Sequence, residues 1–363
     1  MNQGQEAEFS ELRDILANYD LGDLLSIEQN ERGYVNTSYA IETLNKGERQ
    51  RYFLRRYKSG IQEIEIKFEH SVINHLLDKN FTLIARAHTT KQGSTYYKSL
   101  IGDESNRPVF YAIFDFLVGE DKYTCINPKC SLLEINNSAA VLAGFHNAVA
   151  DLSPQGQRFE PQILDLLPQI TKTINHSIQL SKDTIFDSYL HENAALIQDS
   201  CRTAEKYFAD LQTSKWKQIL IHCDFHPGNL MFEQEEVVGL FDFDWSKVDL
   251  RIFDVGLAIW YFFASWQGDQ DGVLRLDDGR DFLHAYQSTL QNLSDLDPMN
   301  QEELNHLPMM INLGNLYNVN WAVTYFYSKE VDPEEHLIYL RHCVNFIRWF
   351  SGSGHQLLQR DLI

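Results

Sequence analysis

The hydrophobic pattern changes character along the chain. Near the N-terminus, Phe9, Leu12, Ile15, Leu16 and Tyr19 recur at helical steps. That spacing predicts a helix over residues 8–26, with Leu21 to Leu25 leading into the first strands. Short β-prone runs then dominate: the segments on either side of Gly33 and Asn36, Arg51 to Tyr57, Tyr96 and Tyr97, and Pro108 to Phe114. One amphipathic helix is predicted among them over 61–78, where Ile64, Phe68, Val72 and Leu76 share a stripe with Ile61, Ile73 and Leu77. Past residue 118 the period becomes helical, over 131–150, over 163–178 and in one long run from Phe186 to Leu211. Residues 268–281, rich in Asp, are expected to form a solvated linker, and 282–363 returns to helical patterns.

The helical half is interrupted by the stretch from Gln218 to Trp245, which reads as strand, loop, strand, turn, strand. Its apolar runs are short and bounded by Pro, Gly and acidic residues, which suits strands better than helices. The loop carries His222, Asp224 and Asn229, and Asp242 follows the third run. Two carboxylates and an amide, with no Cys or His pair to bind a soft metal, suit a hard cation such as magnesium. The spacing H-x-D-x-x-x-x-N, then a hydrophobic strand and D-F, is the catalytic-loop pattern of kinases.

Composition narrows the class. A chain of 363 residues with 44% apolar content can bury a sizeable core and divide in two. Its formal charge of -20 argues against nucleic acid and anionic membranes as partners. The apolar runs are too short to span a bilayer, and the polar, acidic N-terminus lacks the features of a signal peptide. Five scattered cysteines without a C-x-x-C pair favour a reducing cytoplasm.

The run His222-Cys223-Asp224-Phe225-His226-Pro227-Gly228-Asn229, followed by Asp242-Phe243-Asp244, differs from the protein-kinase signature, which has Arg after the loop His and D-F-G later. H-x-D-x-H-P-x-N with a second Asp resembles the aminoglycoside phosphotransferase and choline kinase superfamily. The segment around L-R-R-Y-K-S-G and E-x-x-F-E-H is most similar to its bacterial branch of homoserine kinases of the protein-kinase-like type.

That resemblance implies an α+β, bilobal, protein-kinase-like fold with a small β-rich N-lobe over 1–117 and a larger, mostly helical C-lobe over 118–363. It implies ATP and Mg2+ as cofactors, and transfer of the γ-phosphoryl group to a hydroxyl of a small molecule. A homoserine-like amino alcohol or an amino sugar is the favoured acceptor; an aminoglycoside or choline/ethanolamine kinase is the alternative. In the family's terms Asp224 would be the catalytic base, Asn229 and Asp242 the metal ligands, and His222 and Asp254 supporting residues. Gly33 and Asn36 would cover the phosphates, and the backbone of Asp115 and Leu117 would hold adenine. Arg55 falls where kinase-like folds carry Lys on the third strand, and Glu69 where the family places its partner carboxylate. Strand alternation puts Phe53 and Arg55 on one face and Leu54 and Arg56 on the other, so Arg55 is expected to face the nucleotide and meet Glu69. Arg in place of Lys also motivates a reading of another class, a nucleotide-binding pseudokinase. On the helix near the C-terminus, Leu313, Leu316, Tyr317, Asn320, Trp321, Tyr325 and Phe326 form an aromatic-rich face, read as core with some members available to the acceptor.

Overall fold

The computed structural model describes residues 3–30, 36–99 and 107–363, with side chains from residue 9 onward. The chain divides into two compact units, one made of Met1–Gly119, Ser153–Arg158 and Val238–Phe241, the other of Glu120–Leu152, Phe159–Val237 and Asp242–Ile363.

The first unit starts with α1 (Gln3–Leu16), followed by β1 (Asp23–Asn30), β2 (Thr37–Asn45) and β3 (Glu48–Arg56). Then come α2 (Glu63–Asp78), β4 (Tyr97–Lys98) and β5 (Phe110–Asp115). The strands form one antiparallel sheet in the order β1-β2-β3-β5-β4. Lys46 and Gly47, both at positive φ, close the β2–β3 hairpin as a two-residue turn whose twist matches that of the strands. One face of the sheet, with Tyr39, Ile41, Tyr52, Leu54, Tyr111 and Ile113, packs into a core with Leu12, Ile15, Leu16 and Tyr19. Arg55 projects from the other face toward α2, where Ile66, Val72, Ile73 and Leu76 are buried.

The helix expected over 8–26 ends earlier, at Leu16, and the chain is already a strand at Asp23. The cause is Gly22. Its φ of 91° is left-handed, and a Cβ there would lie 2.3 Å from the Leu44 carbonyl oxygen. Tyr19, Leu21 and Leu24 stay in the same core as the helix, so the apolar spacing outlasts the helix itself.

The second unit is mostly helical. It contains α3 (Leu132–Ala148), α4 (Ile163–Gln179), α5 (Ile185–Ala209), β6 (Gln218–Ile221) and β7 (Leu230–Glu233). After β8 (Glu236–Leu240), which runs into Val238–Phe241 of the first unit, come β9 (Lys247–Leu250), α6 (Arg251–Phe263), α7 (Leu276–Gln291), α8 (Gln301–Ser328), α9 (Pro333–Trp349) and α10 (His355–Leu357). Side-chain caps set several helix starts: Ser131 with Glu134, Thr184 with Asp187, and Asn300 with Glu303 form reciprocal capping boxes. Almost every residue of α6 is buried, and α6 packs along α8. On α8, Leu313, Leu316 and Phe326 are core residues, while Asn320, Trp321 and Tyr325 are half-buried.

The acidic stretch 268–281 is not a solvated linker. α7 begins at Leu276, with Asp277 and Asp278 in its first turn, where carboxylates complement the helix dipole. Asp271 is engaged as well, accepting from Asn345 Nδ2 at 2.8 Å and lying 2.6 Å from His342 Nδ1. Asp277 and Asp278 pair with Arg280 and Arg275, while Asp269 and Asp281 are exposed. Among the described residues, no helix is long and apolar enough to cross a membrane.

Candidate active site

In the second unit, β6 pairs antiparallel with β9 from Gln218↔Leu250 to Ile221↔Lys247. The loop carrying the polar residues therefore leaves β6 opposite Lys247, at the start of β9, and α6 begins at the other end of the pair. Cys223 adopts a left-handed φ of 64°, a conformation that costs a non-glycine residue about 1–2 kcal/mol. The buried Asp254 of α6 offsets this by accepting two backbone N–H groups, from His222 at 2.9 Å and from Cys223 at 2.8 Å. His146 Nε2 lies 2.9 Å from Asp254 Oδ2, and His146 Nδ1 lies 2.8 Å from the Tyr286 hydroxyl. Burial lowers the His146 pKa, with Asp254 opposing, so the ring is neutral, donating to Asp254 and accepting from Tyr286. His146 is thus a fully satisfied core histidine.

Asp224 is held by its own loop. Asn229 Nδ2 donates to the Asp224 carbonyl oxygen and to its carboxylate Oδ2, both at 2.9 Å. With its nitrogen so committed, the Asn229 amide presents its oxygen on the other arm. His226 Nδ1 accepts from Gly228 N–H at 3.0 Å, which places the ring proton on Nε2, 3.6 Å from Asp224 Oδ2. Gly228 is required there, since a Cβ would lie 2.9 Å from His226 Cε1 and 3.1 Å from the Thr124 backbone carbon. The Tyr261 hydroxyl donates to Asn318 Oδ1 at 3.1 Å and lies beside the Asp224 carboxylate. Burial pushes the Asp224 carboxyl up, but His226, His222 and Tyr261 outweigh it and hold the group below the ordinary carboxylate range. It is an ionised acceptor at neutral pH.

Asp242, in the same unit, is half-buried and has a left-handed φ of 66°. Its neighbour Phe243 anchors the segment by packing against the rings of His222 at 5.0 Å and Phe145 at 6.0 Å. The Asn229 amide oxygen and the Asp242 carboxylate would offer a hard divalent cation oxygen donors only. Among the described residues no group of three or more His, Cys, Asp and Glu could hold a metal.

In the first unit, Arg55 Nη1 lies 2.9 Å from Glu69 Oε1, with both side chains largely buried. Glu65, the other carboxylate early in α2, instead accepts the Gln62 N–H at 3.0 Å and so caps the helix. Asn36 Oδ1 accepts the Lys58 N–H at 2.9 Å, which ties the start of β2 to the turn after β3. Asp115 uses its N–H on Arg86 O at 3.0 Å and its carboxylate on His88 Nε2 at 2.8 Å. Leu117 follows just beyond β5, and Gly33 lies outside the described residues.

Direct bonds therefore join His222 to Asp254 and Asp224 to Asn229 in one unit, and Arg55 to Glu69 in the other. Sequence reasoning missed Tyr261, His226 as an Asp224 neighbour, and Tyr57 as a second partner of Glu69. His226 stood in the motif, whereas nothing in the pattern of α6 marks Tyr261 apart from its core neighbours.

The chain belongs to the phosphotransferase enzyme family, whose model matches residues 26–290. It is a small-molecule kinase with a hydroxyl acceptor. A homoserine kinase of Parvibaculum lavamentivorans is 25% identical over 345 residues, covering 91% of this chain and 92% of that protein. The structure of a microcompartment-associated aminopropanol kinase superposes with a TM-score of 0.71 at 15% identity, covering 96% of this chain and 98% of that one. An amicoumacin kinase in complex with AMP-PNP and Ca2+ superposes with a TM-score of 0.59 at 14% identity, covering 95% and 96%. The α+β kinase-like fold is shared with these structures.

Proposed function

We propose that this protein transfers the γ-phosphoryl group of ATP to the hydroxyl of a small amino alcohol, homoserine or a close relative, in the cytoplasm. The carrying observation is the state of Asp224: an ionised carboxylate fixed by Asn229 on a loop whose backbone is pinned by Asp254. Such a group can orient an acceptor hydroxyl and take its proton as the oxygen attacks. The choice of acceptor is supported by the homoserine kinase relative, which aligns over nearly the whole of both chains, and by the fold shared with the aminopropanol kinase.

The remaining roles follow. Asn229 and Asp242 would hold Mg2+, which when bound neutralises charge on the transferring phosphates. Arg55 would clamp phosphate oxygens while Glu69 fixes its direction. Gly33 and Asn36 would cover the phosphates, with Asn36 holding the base of its hairpin through Lys58. At Asp115 the N–H is already used, so an adenine bond there would be accepted by the carbonyl, with Leu117 N–H as donor. Residues 1–117 would thus act as the nucleotide lobe and 118–363 as the catalytic and acceptor lobe.

Incubating the protein with MgATP and a panel of hydroxylated metabolites, with mass detection of phosphorylated product, tests the reading. Homoserine or another amino alcohol should be phosphorylated at the highest kcat/KM. Product formed only from aminoglycosides or from choline would move the assignment to another branch, and no product from any acceptor would favour the pseudokinase.

A further inference from the structure

The Arg55–Glu69 pair continues into a chain of polar groups with no part in the roles assigned so far. The Tyr57 hydroxyl, just beyond β3, lies 3.1 Å from Glu69 Oε2 and 2.9 Å from His70 Nε2. His70 Nδ1 lies 2.6 Å from Thr95 Oγ1. Tyr57, Glu69 and His70 are buried, and the rings of Phe114 and Tyr57 face the Arg55 guanidinium at 5.6 and 5.9 Å.

Only one distribution of protons satisfies these contacts. Glu69, beside Arg55, is a carboxylate and can only accept. The single Tyr57 proton therefore goes to Glu69, and the Tyr57 oxygen accepts from His70. That sets the His70 proton on Nε2. Its neutral ring then accepts at Nδ1, so the Thr95 hydroxyl donates. Every donor points one way, from Thr95 through His70 and Tyr57 to Glu69. Tyr57 takes one carboxylate oxygen and Arg55 the other, so the carboxylate cannot turn away from the guanidinium.

We propose that Tyr57, His70 and Thr95 are positioning residues for the nucleotide: their directed hydrogen-bond chain locks Glu69 and thereby aims Arg55 at the phosphates. This rests on the reading of Arg55 as the phosphate clamp. A long, flexible cation held at one carboxylate oxygen keeps its direction only if that carboxylate is fixed. Tyr57, His70 and Thr95 supply the fixing from three separate segments of the first unit.

The test is a double-mutant cycle read by calorimetric binding of MgAMP-PNP to the wild type, Tyr57→Phe, Arg55→Ala and the double variant. Arg55→Ala should weaken binding at least ~10-fold, and Tyr57→Phe by ~3–10-fold, within the usual range for coupled neighbours. On the Arg55→Ala background, Tyr57→Phe should change affinity by less than ~2-fold, because a residue acting through Arg55 has nothing left to aim. Thr95→Val, which leaves Tyr57 in place, runs the same cycle should Tyr57→Phe fail to fold. Wild-type affinity in Tyr57→Phe while Arg55→Ala is impaired overturns the inference and leaves the clamp standing. Equal weakening in both backgrounds also overturns it, marking Tyr57 as packing alone. Unchanged affinity in Arg55→Ala removes the clamp reading, and the inference with it.

Discussion

Asp254 reaches across from α6 to accept the backbone N–H of Cys223 at 2.8 Å, at the one residue of the loop that is left-handed and not glycine. The same carboxylate takes the His222 N–H and the His146 ring. A buried acid thus acts as a template for the backbone that presents Asp224. Asp254→Asn keeps one acceptor oxygen but turns an NH2 toward a group that also donates. Leaving a buried donor unpaired costs about 1–3 kcal/mol, more where a charge is lost, so urea unfolding should show a loss of at least ~2 kcal/mol. Turnover should fall in the fraction that remains folded. A variant as stable and active as the wild type would show that the loop holds its own conformation.

Asp224→Asn should leave the fold and nucleotide binding intact and lower kcat by ~10²–10⁴, the usual size of a general-base contribution. Asn can still accept from Asn229, so the loop geometry survives while the proton acceptor is lost. Turnover of the true acceptor close to that of the wild type would remove Asp224 from the base role.

Asp242→Ala should weaken nucleotide binding at least ~10-fold in the presence of Mg2+ and flatten its magnesium dependence, since the proposed site would lose one of its two protein oxygens for the ion. Calorimetric titration of ADP with and without Mg2+ reads both. Equal affinity and equal magnesium dependence in variant and wild type would place the metal ligands elsewhere.

The site was legible where chemistry is local in sequence. The loop residues and Asp242 are close along the chain, and the family resemblance together with strand alternation placed Arg55 beside Glu69 of α2. The end of α1 was hidden because one core buries both the helix and the strand after it, so the apolar rhythm never broke. The 268–281 stretch misled because acidic residues read the same whether they face water, lie in the first turn of a helix or pair with a histidine, and Asp277 and Asp271 belong to the latter two cases. Tyr261 and Thr95 were invisible because their partners, Asp224 and His70, come from distant segments of the chain. Only a fold brings such pairs together.

His70 gives a prediction in which the sign matters. Burial, with the Arg55 charge nearby, lowers its pKa from the ordinary 6.5 to about 3. Tyr57 and Thr95 hydrogen-bond its two ring nitrogens, and Tyr96 and Phe114 pack on its ring. The folded state therefore holds His70 neutral, while the unfolded chain takes a proton as pH falls below about 6.5. Its contribution to stability is full above the unfolded pKa. It declines as pH drops through 6.5 and continues to decline toward the folded value. At roughly 1.4 kcal/mol per pH unit, this one group accounts for about 2 kcal/mol between pH 7 and pH 5. His146, His336 and His342 are also lowered, so total acid sensitivity exceeds this, and the informative quantity is a difference between variants. His70→Gln retains an N–H for Tyr57 and an acceptor for Thr95 but cannot titrate. Urea unfolding of both proteins at pH 7 and pH 5 should show the wild type losing about 2 kcal/mol more than the variant. Equal losses would mean that His70 titrates normally in the folded state, and the proton arrangement from Thr95 to Glu69 would have to be redrawn.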